Sequence, residues 1–178
     1  EERGQFWSCI WDFCKVIGER GDRSIGLDKM PGGEFFPDAK LNFAENLLRL
    51  DAHGDALVFR AEDQASRRMS WDTLRQSVSS AQQWLMSQGV RQGDRVAAML
   101  PNMPESVILM LATASIGAVW SSCSPDFGVQ GVLDRFGQIE PKIFIASDGY
   151  FYGGKRIELA GRLVEILDGL PSVESVLV

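Results

Sequence analysis

The chain has one histidine, His53, and only three cysteines, Cys9, Cys14 and Cys123, in 178 residues. His53 lies in a polar turn and reads as a solvated loop residue, which leaves no imidazole to activate Cys123 as a nucleophile. Cys123 falls inside an apolar strand and reads as a small core residue. An odd number of cysteines without metal-ligand spacing argues against a disulfide framework or a zinc site, and for a reducing compartment; the cytoplasm is the expected location. Positive charge is scarce too. Eighteen Lys and Arg stand against 24 Asp and Glu, and the net charge of -6 argues against nucleic acid or an anionic membrane as partner. No signal-peptide pattern opens the chain. The longest apolar run, Val107 to Trp120, is broken by Thr113 and Ser115 and is too short to span a bilayer. Paired carboxylates and a dinucleotide glycine fingerprint are missing as well. What remains, 45% hydrophobic and 24% charged residues, is the composition of a globular protein with a core. The first residue is Glu1, not methionine, and the last, Val178, falls inside an apolar run, so a piece of a longer polypeptide is expected.

Apolar periodicity gives the coarse organisation. Phe6, Trp7, Ile10, Trp11, Phe13, Cys14 and Ile17 predict a short helix with an aromatic face, and the Gly- and Pro-rich stretch 18–40 a surface loop. In LNFAENLL, Asn42 is placed to cap a helix, with Glu45 three residues on and Phe43, Ala44, Leu47 and Leu48 as its apolar face. Residues 56–61 and 67–70 read as a hairpin around a polar turn at 62–66. Ser70 caps a helix striped by Leu74, Val78, Ala81 and Leu85 that ends at Gly89. Strand and helix then alternate to the end. Strands are expected at 95–100, 120–124, 142–146 and 173–178, and helices at 107–119, behind Pro104, at 129–139 and at 155–170, the last on Ile157, Ala160, Val164 and Leu167. This alternation predicts an α/β fold, a mostly parallel sheet flanked by helices on both faces.

Two stretches carry candidate chemistry. Gly149 to Lys155 matches half of a phosphate-binding loop, but Arg156 stands where a Ser or Thr should hold magnesium, and three aromatics crowd a place that needs small residues. Gly153 and Gly154 followed by Lys155 and Arg156 at a helix N-terminus would still offer free N–H groups and two cations to a phosphate; the alternative is a flexible loop with solvated charges. Asp126-Phe127-Gly128 spells a kinase tripeptide without the rest of a kinase. Its loop nonetheless follows a parallel strand at the carboxyl end, where open α/β sheets bind ligands, although such loops also serve as simple connections.

The same residues carry a resemblance. LNFAENLL, the run GDRVAAMLPNMPESVILMLATASIGAVWSSCSPDFGVQGVLDRFGQIEPK, and YGGKR together resemble the N-terminal part of an adenylate-forming acyl-CoA synthetase, with SCSPDFGVQGVLDRF similar to the acetoacetate branch. The resemblance implies a two-step ligase: acetoacetate and ATP give an acyl-adenylate and diphosphate, and the CoA thiol then displaces AMP. Adenylation gives the carboxylate a leaving group, with magnesium and basic groups offsetting the phosphate charge. The phosphate loop, metal-holding acid, ribose aspartate and catalytic lysine of the family would all lie beyond Val178, so this piece is expected to be inactive alone. Acetoacetate, ATP and CoA are the implied partners, together with the rest of the polypeptide.

The resemblance divides the chain into a helical and loop cap, 1–50, and an incomplete first α/β subdomain of the AMP-binding domain, 51–178. It implies a share of CoA binding at Ser124, Pro125, Asp126 and Phe127, along the pantetheine arm, and at Tyr152, Gly154, Lys155 and Arg156, near the nucleotide phosphates. Relatives carry a glycine pair where Pro125 and Asp126 stand and an arginine in place of Lys155, which would act here as a point charge without bidentate geometry. A CoA-binding or phosphorylated-ligand-binding α/β module, or a synthetase acting on acetate or propionate, are the alternatives.

Overall fold

Residues Val96–Met99 and Ile143–Ala146 are apolar without a break, the pattern of strands covered on both faces. The computed structural model, which describes residues 2–50, 53–62 and 65–178, buries all eight side chains, none more than 4% exposed. They belong to β3 (Arg95–Met99) and β5 (Ile143–Ala146), the two inner strands of a parallel sheet completed by β4 (Val119–Cys123) and β8 (Ser175–Leu177) in the order β4-β3-β5-β8.

Side chains alternate across this sheet. Ala97, Met99, Phe144 and Ala146 form one core with α5 (Val129–Phe136) and α6 (Ala160–Asp168), where Val132, Phe136, Leu163 and Ile166 meet them. Phe136 and Phe144 are edge to face, centroids 6.0 Å apart. Val96, Ala98, Ile143 and Ile145 point the opposite way and are equally buried. On that side lies α4 (Pro104–Ser115), packed against both β4 and α3 (Trp71–Ser87). Pro104 opens α4 in its first turn, where a missing N–H costs nothing. The expected α/β sheet with helices on both faces is the observed one.

By contacts the chain separates into two compact units, one ending at Arg49 and one beginning at Leu50. In the first, α1 (Glu2–Phe13) packs through Trp7 and Trp11 on Phe35 and Phe36 of the following loop. The aromatic face expected of this helix is only partly used: Phe6 and Phe13 are exposed and Gly4 is its buried residue. In α2 (Phe43–Leu48), Asn42 accepts a hydrogen bond from the Glu45 N–H at 3.1 Å, as the capping pattern required. The apolar face of α2 is narrower than expected, however. Ala44 is buried and Leu48 partly so, one turn apart, while Phe43 and Leu47, the next pair round, are exposed.

The second unit opens with the hairpin β1 (Asp55–Arg60) and β2 (Ser66–Ser70); Asp63 and Gln64, in the turn expected there, lie outside the described residues. Ser70 then caps α3 by accepting from the Thr73 N–H at 3.2 Å. One expectation fails outright. Residues 155–158 are not the start of a helix but β7 (Lys155–Glu158), the antiparallel partner of β6 (Gly149–Tyr152). Gly153 and Gly154, with φ of 58° and 72°, form the two-residue turn between them, the left-handed pair that such hairpins favour. The helix starts only at Ala160, and it buries Leu163 and Ile166 while Val164 is 62% exposed.

Candidate functional site

Parallel register sets the site. Met99 is level with Cys123 and with Ala146, so the chain leaves three neighbouring strands along one carboxyl edge. Three segments emerge there: residues 100–103 before α4, residues 124–128 before α5, and the β6–β7 hairpin after β5.

The loop before α5 is tied from within. The Ser124 hydroxyl donates to the Asp126 carboxylate at 2.9 Å and accepts from the Asp126 N–H at 3.3 Å, the local turn in which a short hydroxyl side chain substitutes for backbone. Phe127 lies under the Arg135 guanidinium, 4.6 Å from ring centroid to carbon, and rests against Gly131, where a β-carbon would come within 3.1 Å of the ring. The other oxygen of the Asp126 carboxylate accepts from the Tyr150 phenol, at 2.5 Å. That hydrogen bond, with help from Ser124, holds the Asp126 carboxyl below its ordinary range; it also raises the Tyr150 phenol, to which partial burial adds.

Tyr150 thus joins the two stretches singled out in the sequence. It was not among the residues expected there, although the alternation of Tyr150 with Tyr152 ahead of a Gly-Gly pair is a hairpin signal. Tyr152 is 62% exposed and pairs across the hairpin with Lys155. Lys155 has no ion pair or side-chain hydrogen bond among the described residues. Arg156 is less available, with Glu158 at 2.8 Å and Asp148 at 3.8 Å. The Gly154 N–H donates to the Glu62 carboxylate at 3.2 Å, a contact 92 residues apart in the chain. Since the glycines sit in a hairpin turn, the helix N-terminus expected to offer free N–H groups at this point is not there.

Cys123 directly precedes the loop. Burial pushes its thiol up to about 11, so it is a protonated core residue and not a nucleophile, as the lack of an activating histidine implied. His53 is exposed. Beside the hairpin runs a groove of about 670 Å³, lined among others by Phe59, Arg60, Glu62, Met103, Tyr150 and Phe151. Two more of its lining residues are paired: Arg67 donates to both Glu105 carboxylate oxygens at 2.6 and 2.7 Å. Among the described residues no three His, Cys, Asp or Glu side chains gather as metal ligands, and no helix is long and apolar enough to cross a membrane.

Residues 49–178 match the family model described as AMP-binding enzyme. The acetoacetyl-coenzyme A synthetase of Rhizobium meliloti (strain 1021) is 59% identical over 170 residues, 95% of this chain and 26% of that protein. The acetoacetyl-CoA synthetase of Macaca fascicularis is 38% identical over 185 residues, 100% of this chain and 27% of its own length. Among solved structures, acetoacetyl-CoA synthetase from Streptomyces lividans superposes with a TM-score of 0.94 at 40% identity, over 98% of this chain and 28% of that one. The chain therefore spans about a quarter of the length of the curated relatives it matches.

Proposed function

We propose a function on the premise that this chain belongs to the AMP-binding enzyme family: it is the N-terminal part of an acetoacetate–CoA ligase. The full reaction joins acetoacetate to ATP as acetoacetyl-AMP with release of diphosphate, and the CoA thiol then displaces AMP to give the thioester. The 59% identity to the Rhizobium meliloti protein supports acetoacetate as the acid. Residues 1–50 are a cap segment, and residues 51–178 are the first α/β subdomain of the adenylation domain. The free cysteines support a cytoplasmic location.

Within this reaction the chain contributes scaffold and a share of the CoA surface. The observation that carries this reading is the Tyr150–Asp126 hydrogen bond, which holds the Ser124–Phe127 loop against the hairpin that bears Tyr152, Gly154, Lys155 and Arg156. A pantetheine arm would run along Ser124, Asp126 and Phe127, which are exposed; Pro125, also expected there, is buried and offers it no surface. Lys155, without an ion pair among the described residues, would meet a phosphate as a point charge, with Arg156 assisting once drawn from Glu158. ATP and magnesium belong to the proposed reaction, and the described residues gather no ligand set for the metal.

Calorimetry with CoA tests the assignment. Lys155→Ala should weaken CoA binding about threefold, the scale of one exposed charge contact, and Arg156→Ala by less. Unchanged affinity in both variants removes the phosphate site. In a diphosphate-release assay with ATP, acetoacetate and CoA, the 178-residue chain is expected to give no turnover; turnover would show that it holds a complete active site.

A further inference from the structure

In a two-residue hairpin the ladder uses the groups of the flanking residues, here Tyr152 and Lys155, and leaves the N–H of the second turn residue outside it. A backbone donor so placed needs water or another acceptor. At Gly154 the acceptor is the Glu62 carboxylate, a residue that lines the groove, at 3.2 Å. Local folding does not account for this contact, because Glu62 comes from the connection between β1 and β2 and Gly154 from a different sheet. Nor do side chains crowd the turn: a β-carbon at Gly153 or Gly154 would meet nothing within 4 Å. An amide donor, an open approach and a neighbouring unpaired lysine make a point suited to an anionic oxygen, and the chain's own anion already occupies it.

We propose that the Gly153–Gly154 turn is an anion-binding point on which Glu62 stands in for a phosphate group, so that a phosphorylated ligand entering the groove displaces it. The ligand reading rests on the CoA assignment above; the competition between Glu62 and an anion does not. Glu62 lines the groove together with Phe59, Tyr150 and Phe151, and its contact with Gly154 ties the turn of the β6–β7 hairpin to the β1–β2 connection. Displacement would therefore free a groove-lining carboxylate at the same moment that the phosphate is bound. It would also exchange a repelling carboxylate for an attracted ligand beside Lys155, so that the closed state disfavours weakly charged molecules and yields to strongly charged ones.

The test follows the Gly154 amide resonance in the ¹⁵N-labelled 178-residue chain. Glu62→Ala should move this resonance before any ligand is added. In titrations with inorganic pyrophosphate its midpoint should fall about threefold in Glu62→Ala, and in the same direction in Glu62→Gln, whose neutral amide competes less well. An unmoved resonance in Glu62→Ala, a midpoint equal to that of the parent chain, or no response to pyrophosphate in any variant overturns the proposal. CoA is titrated in parallel to separate the two readings. If pyrophosphate shows the competition and CoA leaves Gly154 unmoved, the anion point stands and the CoA assignment falls. If CoA moves Gly154 with one midpoint in all variants, CoA binding stands and the role of Glu62 falls.

Discussion

Removing the Tyr150 hydroxyl should uncouple the two halves of the candidate site without harming the sheet beneath. A hydrogen bond to an ionised acceptor is worth about 1.5–3 kcal/mol where water is kept out. Asp126 is exposed, so solvent screening lowers the expected coupling to about 1 kcal/mol. A double-mutant cycle of Tyr150→Phe and Asp126→Ala, read by urea unfolding, measures that coupling free of other losses. Asp126→Ala alone should cost more than Tyr150→Phe, because it also releases Ser124. The pH dependence has two limits. The Asp126 carboxyl lies below its ordinary 3.8, so its contribution is present above that value and is lost only as pH falls through the lowered pKa. The Tyr150 phenol lies above its ordinary 10.0, so its contribution is present below that value and is lost as pH rises through the raised pKa. Tyr150 and Tyr152 are the only tyrosines, so tyrosinate absorbance can follow the phenol directly. The phase abolished by Tyr150→Phe should move to lower pH in Asp126→Ala. A coupling under about 0.3 kcal/mol, the usual additivity error, together with an unmoved tyrosinate phase, would refute the reasoning.

Phe136→Ala should cost about 3–5 kcal/mol by chemical denaturation, since it empties a fully buried site opposite Phe144. A colorimetric thiol reagent should modify Cys9 and Cys14 quickly in the folded chain and reach Cys123 only after unfolding, because the first two are exposed and the third is buried with a raised pKa. Gly149→Ala should destabilise the hairpin by about 1–3 kcal/mol, because a β-carbon there would stand 2.7 Å from the Ile157 carbonyl oxygen. It should also lower the Tyr150 tyrosinate pKa by drawing the phenol off Asp126.

The sheet was legible because its inner strands are apolar on successive residues and its turns carry their own punctuation: Pro104 at the start of α4 and Ser70 before α3. The β6–β7 hairpin was misread because Ile157, Ala160, Val164 and Leu167 happen to fall at helical spacing, which carried the helix back through the strand. Begun too early, the helix also acquired the wrong phase, and Val164 was assigned the inward place that Leu163 and Ile166 take. Gly153-Gly154 between aromatic and β-branched residues was the competing signal. The two contacts that organise the site, Tyr150 with Asp126 and Glu62 with Gly154, join residues 24 and 92 positions apart. No local pattern encodes such pairs; the first exists only once parallel register has brought the ends of β4 and β5 level, and the second only once two separate hairpins have met.

That level edge has a consequence for how damage to this protein would show itself. The inner strands β3 and β5 are held by burial on both faces, whereas much of the loop and hairpin above them is held by polar contacts in water. Backbone amides of β3 and β5 should exchange with deuterium only through global opening, and those at 124–128 and 149–154 through small excursions that leave the sheet closed. On the proposed reading, a lesion at an exposed side chain such as Lys155, unpaired among the described residues, would weaken ligand capture while the melting curve barely moves. Screens for variants that read only solubility or thermal resistance would score such a chain as healthy.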